Sequence, residues 1–340
     1  MKRVLSIFLS VAIVLSLAAC GKNNGDLQNA DKTSSVTSIQ IVVPDDVEKP
    51  QFTVSKTDVY THQLVRRIIN PECKLYYATP KAKGKYETII IMHGQGTVDK
   101  FKERLLTHIN TWAKMGYIKP MVVVIPEVLT SYGPKSEPNE SDIDDFSHYI
   151  YKSNPDRFNA LLTSIETGEL SPQIDTSIKP YVSGFSMGGM AALHAGVEYN
   201  DRIKHVGALS PARAFYLGEG RWSAICQYAR DIQFSKEEGA CVYLSAGEEE
   251  RDFEGVRAFR DTINRYEIGI KVNNESIITK FIAPESWGGH SFEMAQKEIF
   301  MYLYLISNGE LPSNRLVEAI CYNADDYTAP KVAFKEEEHT

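Results

Sequence analysis

Cysteine is sparse in this chain, five residues in 340, and none falls in a Cys-x-x-Cys pair. Thiolate zinc sites draw on closely spaced pairs, so this spacing speaks against a zinc module, and no metal or organic cofactor is expected. A basic excess is missing as well. Lys and Arg number 37 against 44 Asp and Glu, for a formal charge of −7. With no basic helix face and no aromatic–basic interleaving, nucleic acid is not an expected partner. An acidic balance implies solubility and names no substrate. The apolar run Val4–Ala19 falls short of the roughly 20 residues a membrane-spanning helix needs. No internal repeat is visible.

The N-terminus carries a specific signal. Lys2 and Arg3 precede that apolar run, which closes on Leu17-Ala18-Ala19-Cys20. A positive start, a short apolar stretch and small residues before a cut read as a signal peptide. The Leu-Ala-Ala-Cys ending resembles a bacterial lipobox, a resemblance that implies acylation of Cys20 as the first mature residue. Residues 1–19 are thus expected to be a lipoprotein signal peptide, and residues 20–50 a lipidated cysteine with a polar tether. Such a tether would reach about 30 Å. The expected location is extracytoplasmic, with the membrane contacted through the N-terminal lipid only. Cys73, Cys226, Cys241 and Cys321 remain. An exported chain can pair them, but spacing gives no connectivity; buried free thiols are the expectation.

From residue 51 to 325 strand and helix signals alternate, and residues 326–340 read as a charged tail. Strands are expected at Cys73–Thr79, Thr88–Met92, Met121–Ile125, Tyr181–Phe185, Val206–Leu209, Val242–Ala246 and Ile277–Ala283. Helices are expected at Asp99–Lys114, Arg157–Thr167, Met187–Tyr199, Val256–Arg265 and Phe292–Ser307. The first shows an apolar stripe of Phe101, Leu105, Leu106, Ile109 and Trp112. This alternation predicts an α/β fold: a mostly parallel central sheet with helices on both faces. Two connections, Glu127–Asp156 and Pro211–Ala240, are long and aromatic-rich. Long loops of this composition are expected to line a pocket, with Tyr132 and Trp222 from them, and Trp287 from the segment before His290, as candidate lining residues.

The chemistry centres on Gly184-Phe185-Ser186-Met187-Gly188-Gly189, which lies between a predicted strand and a predicted helix. That context is what a nucleophile turn requires, because the serine hydroxyl must be lifted clear of the sheet edge. Gly184 and Gly188 leave room for the turn, and Gly189, Ala191, Ala192 and Ala195 let the helix pack closely. A serine needs a base. Of His194, His205, His290 and His339 downstream, His290 follows the last predicted strand and opens the final helix, so it is the candidate base. The acid is expected after Val242–Ala246, in Gly247-Glu248-Glu249-Glu250-Arg251-Asp252; spacing from Gly247 favours Glu250, with Asp252 and Glu249 as alternatives. Oxyanion donors are expected from the Met187 amide and, in the loop His93-Gly94-Gln95-Gly96, from the Gln95 amide.

With these residues assembled, the chain resembles the esterase D-like branch of α/β-hydrolases over roughly residues 70–310. That branch holds feruloyl and acetyl-xylan esterases, trilactone-siderophore esterases and S-formylglutathione hydrolases. The matching features are Met92-His93-Gly94-Gln95-Gly96, the Ser186 hexapeptide, the acid segment from Gly247 to Phe259, and Gly288-Gly289-His290. Carbohydrate esterases of the branch often carry Gly-Thr-Glu-Asp where this chain has Gly247-Glu248-Glu249-Glu250. The resemblance implies a serine esterase, with a carbohydrate-linked ester such as acylated plant polysaccharide as the expected substrate. A siderophore trilactone, a short-chain acyl ester, acyl transfer through the same triad, and a binding protein on a retired hydrolase fold are the alternatives.

Overall fold

In a computed structural model, the residues described are 41, 43–61, 63–69, 73–94, 101–126, 155–199, 201–211, 241–247, 271–272, 275–276, 289–321 and 333–336. The expected signal peptide and Cys20 lie outside them. So do the expected helix Val256–Arg265 and strand Ile277–Ala283.

Continuous apolar runs build the centre of the sheet. Strands β3 (Thr88–Met92) and β4 (Val122–Pro126) are buried at every position, as are those of β5 (Tyr181–Phe185). Full burial is what a parallel sheet covered on both faces demands. Strands β6 (His205–Leu209) and β7 (Cys241–Ser245) extend the sheet on one side. Strands β1 (Gln63–Ile69) and β2 (Cys73–Ala78) extend it on the other. With β10 (Ala333–Glu336), the order is β10-β1-β2-β4-β3-β5-β6-β7. The five strands β4, β3, β5, β6 and β7 run parallel, whereas β2 is antiparallel to both its neighbours. Two short strands, β8 (Lys271–Val272) and β9 (Glu275–Ser276), pair separately.

The order reverses around β3, since β4 lies on one side of it and β5 on the other. In open α/β sheets the crevice at the carboxyl ends of two such strands is where ligands bind. Helices α1 (Leu106–Lys114), α2 (Pro155–Glu166), α3 (Met187–Glu198), α4 (Phe292–Asn308) and α5 (Asn314–Ile320) accompany the sheet. Alternation along the strands separates α3 from α4. Gly184 of β5 abuts Gly188 of α3, while Gly207, paired with Ser183, abuts the Tyr302 ring of α4. Ser183 and Gly184 point to opposite faces, so the two helices cover opposite faces.

Helix α1 is held by Trp112, fully buried, whose ring lies 5.1 Å from that of Phe300 and whose Nε1 donates to the Ile320 carbonyl at 3.4 Å. The Ser291 hydroxyl caps α4 by accepting the Met294 amide at 3.2 Å, with Glu293 in the first turn favoured by the helix dipole.

Both ends of the body differ from expectation. Residues 41–50, read as the end of the tether, pack on it: Val47 is buried, Ile41 and Val43 lie against the core, and Glu48 accepts from the Ser313 hydroxyl at 2.7 Å. A few apolar residues in a polar stretch suffice to dock it. Ala333–Glu336, in the segment read as a tail, pairs with β1 in parallel register. Strand β1 and helix α5 were not expected either. Cys321 is a buried free thiol, as anticipated, and burial pushes its pKa well above the ordinary range.

Two histidines make the fold sensitive to acid. His108 on α1 is buried against Trp112, and its Nδ1 pairs with Gln296 Nε2 at 3.1 Å. Burial first, and the Arg104 charge second, lower its pKa to about 3. Burial, with Lys204 and Lys119 adding and Glu87 opposing, lowers that of His205 to about 4. Above about pH 6.5 both are neutral folded or unfolded and contribute no slope. Below it the unfolded chain takes up protons that the folded chain refuses. Stability should therefore fall by up to about 1.4 kcal/mol per pH unit for each group until its folded pKa is reached. Urea midpoints between pH 7 and 4 should show this decline, and His108→Gln should make it shallower; an unchanged slope contradicts the assignment.

Candidate active site

Strand β5 ends in a backbone conformation that serine rarely takes. Ser186 has φ 59° and ψ −119° and stands at the start of α3. A non-glycine residue at positive φ costs about 1–3 kcal/mol and persists only when its surroundings fix it. Here the Ser186 amide donates to the Leu209 carbonyl at the end of β6, at 2.9 Å. The two glycines flanking the serine allow backbone to meet backbone. A Cβ on Gly184 would lie 2.2 Å from the Gly188 carbonyl oxygen, and one on Gly188 would lie 2.2 Å from that of Met92. The turn is thus wedged between the carboxyl ends of β3 and β6. Ser186 is 8% exposed there, mostly buried yet reachable.

Helix α3 begins directly after it. The first amides of a helix have no partner within the helix, and its N-terminus carries partial positive charge. The Met187 amide is the first of α3 and directly follows Ser186, at the helix end that favours negative charge. The expected second loop touches the same turn, because the His93 carbonyl oxygen would lie 2.7 Å from a Cβ on Gly188. His93 is buried, and its Nδ1 lies 2.9 Å from the Gly94 carbonyl oxygen, so the ring braces the loop. Gln95 itself lies outside the described residues.

His290 comes to the same place from the far end of the chain. Its exposed ring stacks on that of Phe185, the residue preceding Ser186, with centroids 4.6 Å apart and planes 27° apart. Ser291, next in sequence, caps α4, so the imidazole sits on the turn entering that helix. Strand β7 lies next to β6 and runs into buried Ala246 and Gly247, which sets the start of the expected acid turn at the same sheet edge. Glu249, Glu250 and Asp252 lie outside the described residues, as do Tyr132, Trp222 and Trp287.

One buried carboxylate escaped the sequence reading. Glu298, fully buried on α4, accepts hydrogen bonds from the Ser210 and Ser245 hydroxyls. Its signal was present: Glu298 falls in helical register with Met294 and Tyr302, inside the apolar stripe of α4. Among the described residues, no group of three or more His, Cys, Asp or Glu side chains is arranged to hold a metal ion. Within those residues, no helix is long and apolar enough to cross a membrane.

A mostly parallel sheet with this order, covered by helices and carrying a strained serine turn at its carboxyl edge, defines an α/β-hydrolase. The chain belongs to the Esterase family, whose model matches residues 67–291, and it is a hydrolase acting on esters. No curated protein matches it. Among solved structures it is similar to the enterobactin esterase FES from Shigella flexneri in the presence of 2,3-di-hydroxy-N-benzoyl-serine. The TM-score is 0.52 at 14% identity, over 75% of this chain and 60% of that one. The chain therefore spans about three-fifths of that enzyme's length. It is also similar to a mutant feruloyl esterase module from Clostridium thermocellum complexed with sinapinate, with TM-score 0.50 at 15% identity over 76% of this chain and 95% of that one. At such identities the likeness is one of fold.

The backbone contact at Gly188 makes a direct prediction. Gly188→Ala should destabilise the protein by about 1–3 kcal/mol and slow phosphonylation of Ser186 by at least about tenfold in the protein that remains folded. Urea denaturation and a labelling time course check both; a wild-type labelling rate contradicts so tight a turn.

Proposed function

We propose that the chain is a serine esterase working through an acyl-enzyme, with Ser186 as nucleophile, His290 as general base and acid, and a carboxylate orienting the imidazole. The carrying observation is the strained turn at Ser186 with the His290 ring packed on the residue before it. His290 accepts the hydroxyl proton as Ser186 Oγ bonds to the ester carbonyl carbon, and the carbonyl electron pair moves onto oxygen. The Met187 and Gln95 amides hold that oxyanion; each such donor contributes about a hundredfold or more in rate. Collapse breaks the bond to the leaving oxygen, which departs as the alcohol with the proton from His290. Water, giving a proton to His290, then attacks the acyl carbon, and Ser186 regains its proton as the carboxylic acid leaves. Glu250 fills the orienting role by its spacing from Gly247, with Asp252 and Glu249 as alternatives.

Sequence features support a location and a substrate class. The lipobox-like ending Leu17-Ala18-Ala19-Cys20 after a positive start and an apolar run supports a lipoprotein signal at residues 1–19, an acylated Cys20 and an esterase held outside the cytoplasm on that lipid. An exported esterase with aromatic-rich loops at Glu127–Asp156 and Pro211–Ala240 fits esters on an extracellular polymer. Aromatic faces there can stack on a feruloyl ring or on sugars, and the substrate class proposed is the feruloyl or acetyl ester of plant polysaccharide or oligosaccharide.

A fluorophosphonate should label the wild type and not Ser186→Ala, and the same substitution should lower ester hydrolysis by at least about 10⁴-fold. A folded wild type that resists the label contradicts the mechanism. Rates on feruloyl, acetyl-sugar, siderophore-trilactone and tributyrin esters, with acceptor alcohols added, decide the substrate. No turnover of the first two ends the polysaccharide reading, and predominant acyl transfer replaces hydrolysis as the reaction. Cys20→Ser should release the protein from the membrane fraction; retention there overturns the anchor.

A further inference from the structure

Among the described residues, two that are not glycine hold a positive φ: Ser186 at 59° and Ser210 at 41°. They are tied through Leu209, which precedes Ser210 and whose carbonyl accepts the Ser186 amide at 2.9 Å. Ser210 is pinned in turn. Its amide donates to the Ser245 carbonyl at 2.7 Å. Its hydroxyl donates into the Glu298 carboxylate, 2.9 and 3.0 Å from the two oxygens. The Ser245 hydroxyl donates to the same carboxylate at 2.7 Å.

Three chain segments meet at this one buried group. Ser210 ends the segment on which the nucleophile turn hangs. Ser245 is the last residue of β7, two positions before Gly247, where the acid turn starts. Glu298 itself lies on α4, about two helical turns beyond the His290 turn. A carboxylate taken out of water is costly, and an apolar side chain of like volume in its place is often neutral or stabilising. Apolar packing, however, is non-directional, whereas hydrogen bonds fix distance and angle. The carboxylate also acts on Tyr243, whose phenol is pushed well above its ordinary pKa, first by burial and then by the Glu298 charge.

We propose that Glu298 is a positioning residue of the esterase site, its carboxylate clamping the ends of β6 and β7 onto α4 so that the Ser186 turn, the acid turn and the His290 turn keep one mutual geometry. It touches no substrate and acts through Ser210 and Ser245. The proposal rests on the reading of Ser186 and His290 given under the proposed function.

The test compares wild type with Ser210→Ala, Ser245→Ala, Glu298→Leu and Glu298→Gln. Each is assayed well below its melting temperature, with folding verified by circular dichroism. The readouts are the rate of fluorophosphonate labelling of Ser186 and the kcat and KM on a p-nitrophenyl ester. The serine variants should lose about tenfold, and Glu298→Leu about a hundredfold, in labelling rate and kcat, with KM within about twofold of wild type. Glu298→Gln keeps an acceptor and adds a donor that rotated serine hydroxyls can meet, so it should recover most of what Glu298→Leu loses. If Glu298→Leu does not fold, the serine variants decide. Folded serine variants with wild-type labelling and kcat overturn the clamp and leave the esterase reading intact. A wild type that neither labels nor hydrolyses esters overturns both.

Discussion

A serine held at φ 59° between two strand ends is the constraint on which the rest of the molecule is organised. The conformation is costly for a residue with a Cβ, so something must impose it. Three contacts do. The Gly188 backbone is seated against Met92 and His93 at the end of β3, the Gly184 backbone is seated against Gly188, and the Ser186 amide bonds to Leu209 at the end of β6. None involves a flexible side chain. The position of the hydroxyl is therefore inherited from the register of three adjacent parallel strands. That is why the apolar runs of β3 and β5, with no chemistry of their own, matter to the site.

Placement of the other parts follows from the same sheet edge. Parallel strands put all their carboxyl ends together, so loops separated by nearly two hundred residues, from His93 to His290, are delivered to one crevice. Helix α3 starts directly after Ser186, so its N-terminal amides, which have no partner within the helix, lie at the same edge. The His290 ring is steered by an aromatic face, that of Phe185, and by the capped start of α4 behind it. Beneath this layer, Glu298 and its two serines connect the strand ends to α4 by directional bonds.

Much of this was legible in the sequence, and the residues show why. Val122–Ile125 and Tyr181–Phe185 are unbroken apolar runs, and a run of that kind has one comfortable home in an α/β protein. The Gly-x-Ser-x-Gly-Gly spacing specifies a turn because only glycine tolerates backbone at 2.2 Å from a Cβ position. What was missed lacked local signals. Strand β1 is half-buried near an edge, and Arg66 and Arg67 break its apolar residues into two pairs without clean alternation. Strand β10 exists only because β1 offers an unpaired edge, a tertiary fact. Residues 41–50 dock through scattered contacts such as Glu48 to Ser313, which no periodicity announces. Glu298 was readable as a charge in an apolar helical stripe, but its serine partners come from β6 and β7, far away in sequence.

The most direct measurement is an experimental structure of the protein after reaction with a fluorophosphonate. The account predicts phosphorus bonded to Ser186 Oγ, with the phosphoryl oxygen within hydrogen-bond distance of the Met187 amide and the His290 ring facing the adduct from its seat on Phe185. An adduct on another residue, or a phosphoryl oxygen turned away from the start of α3 with His290 out of reach, would contradict it.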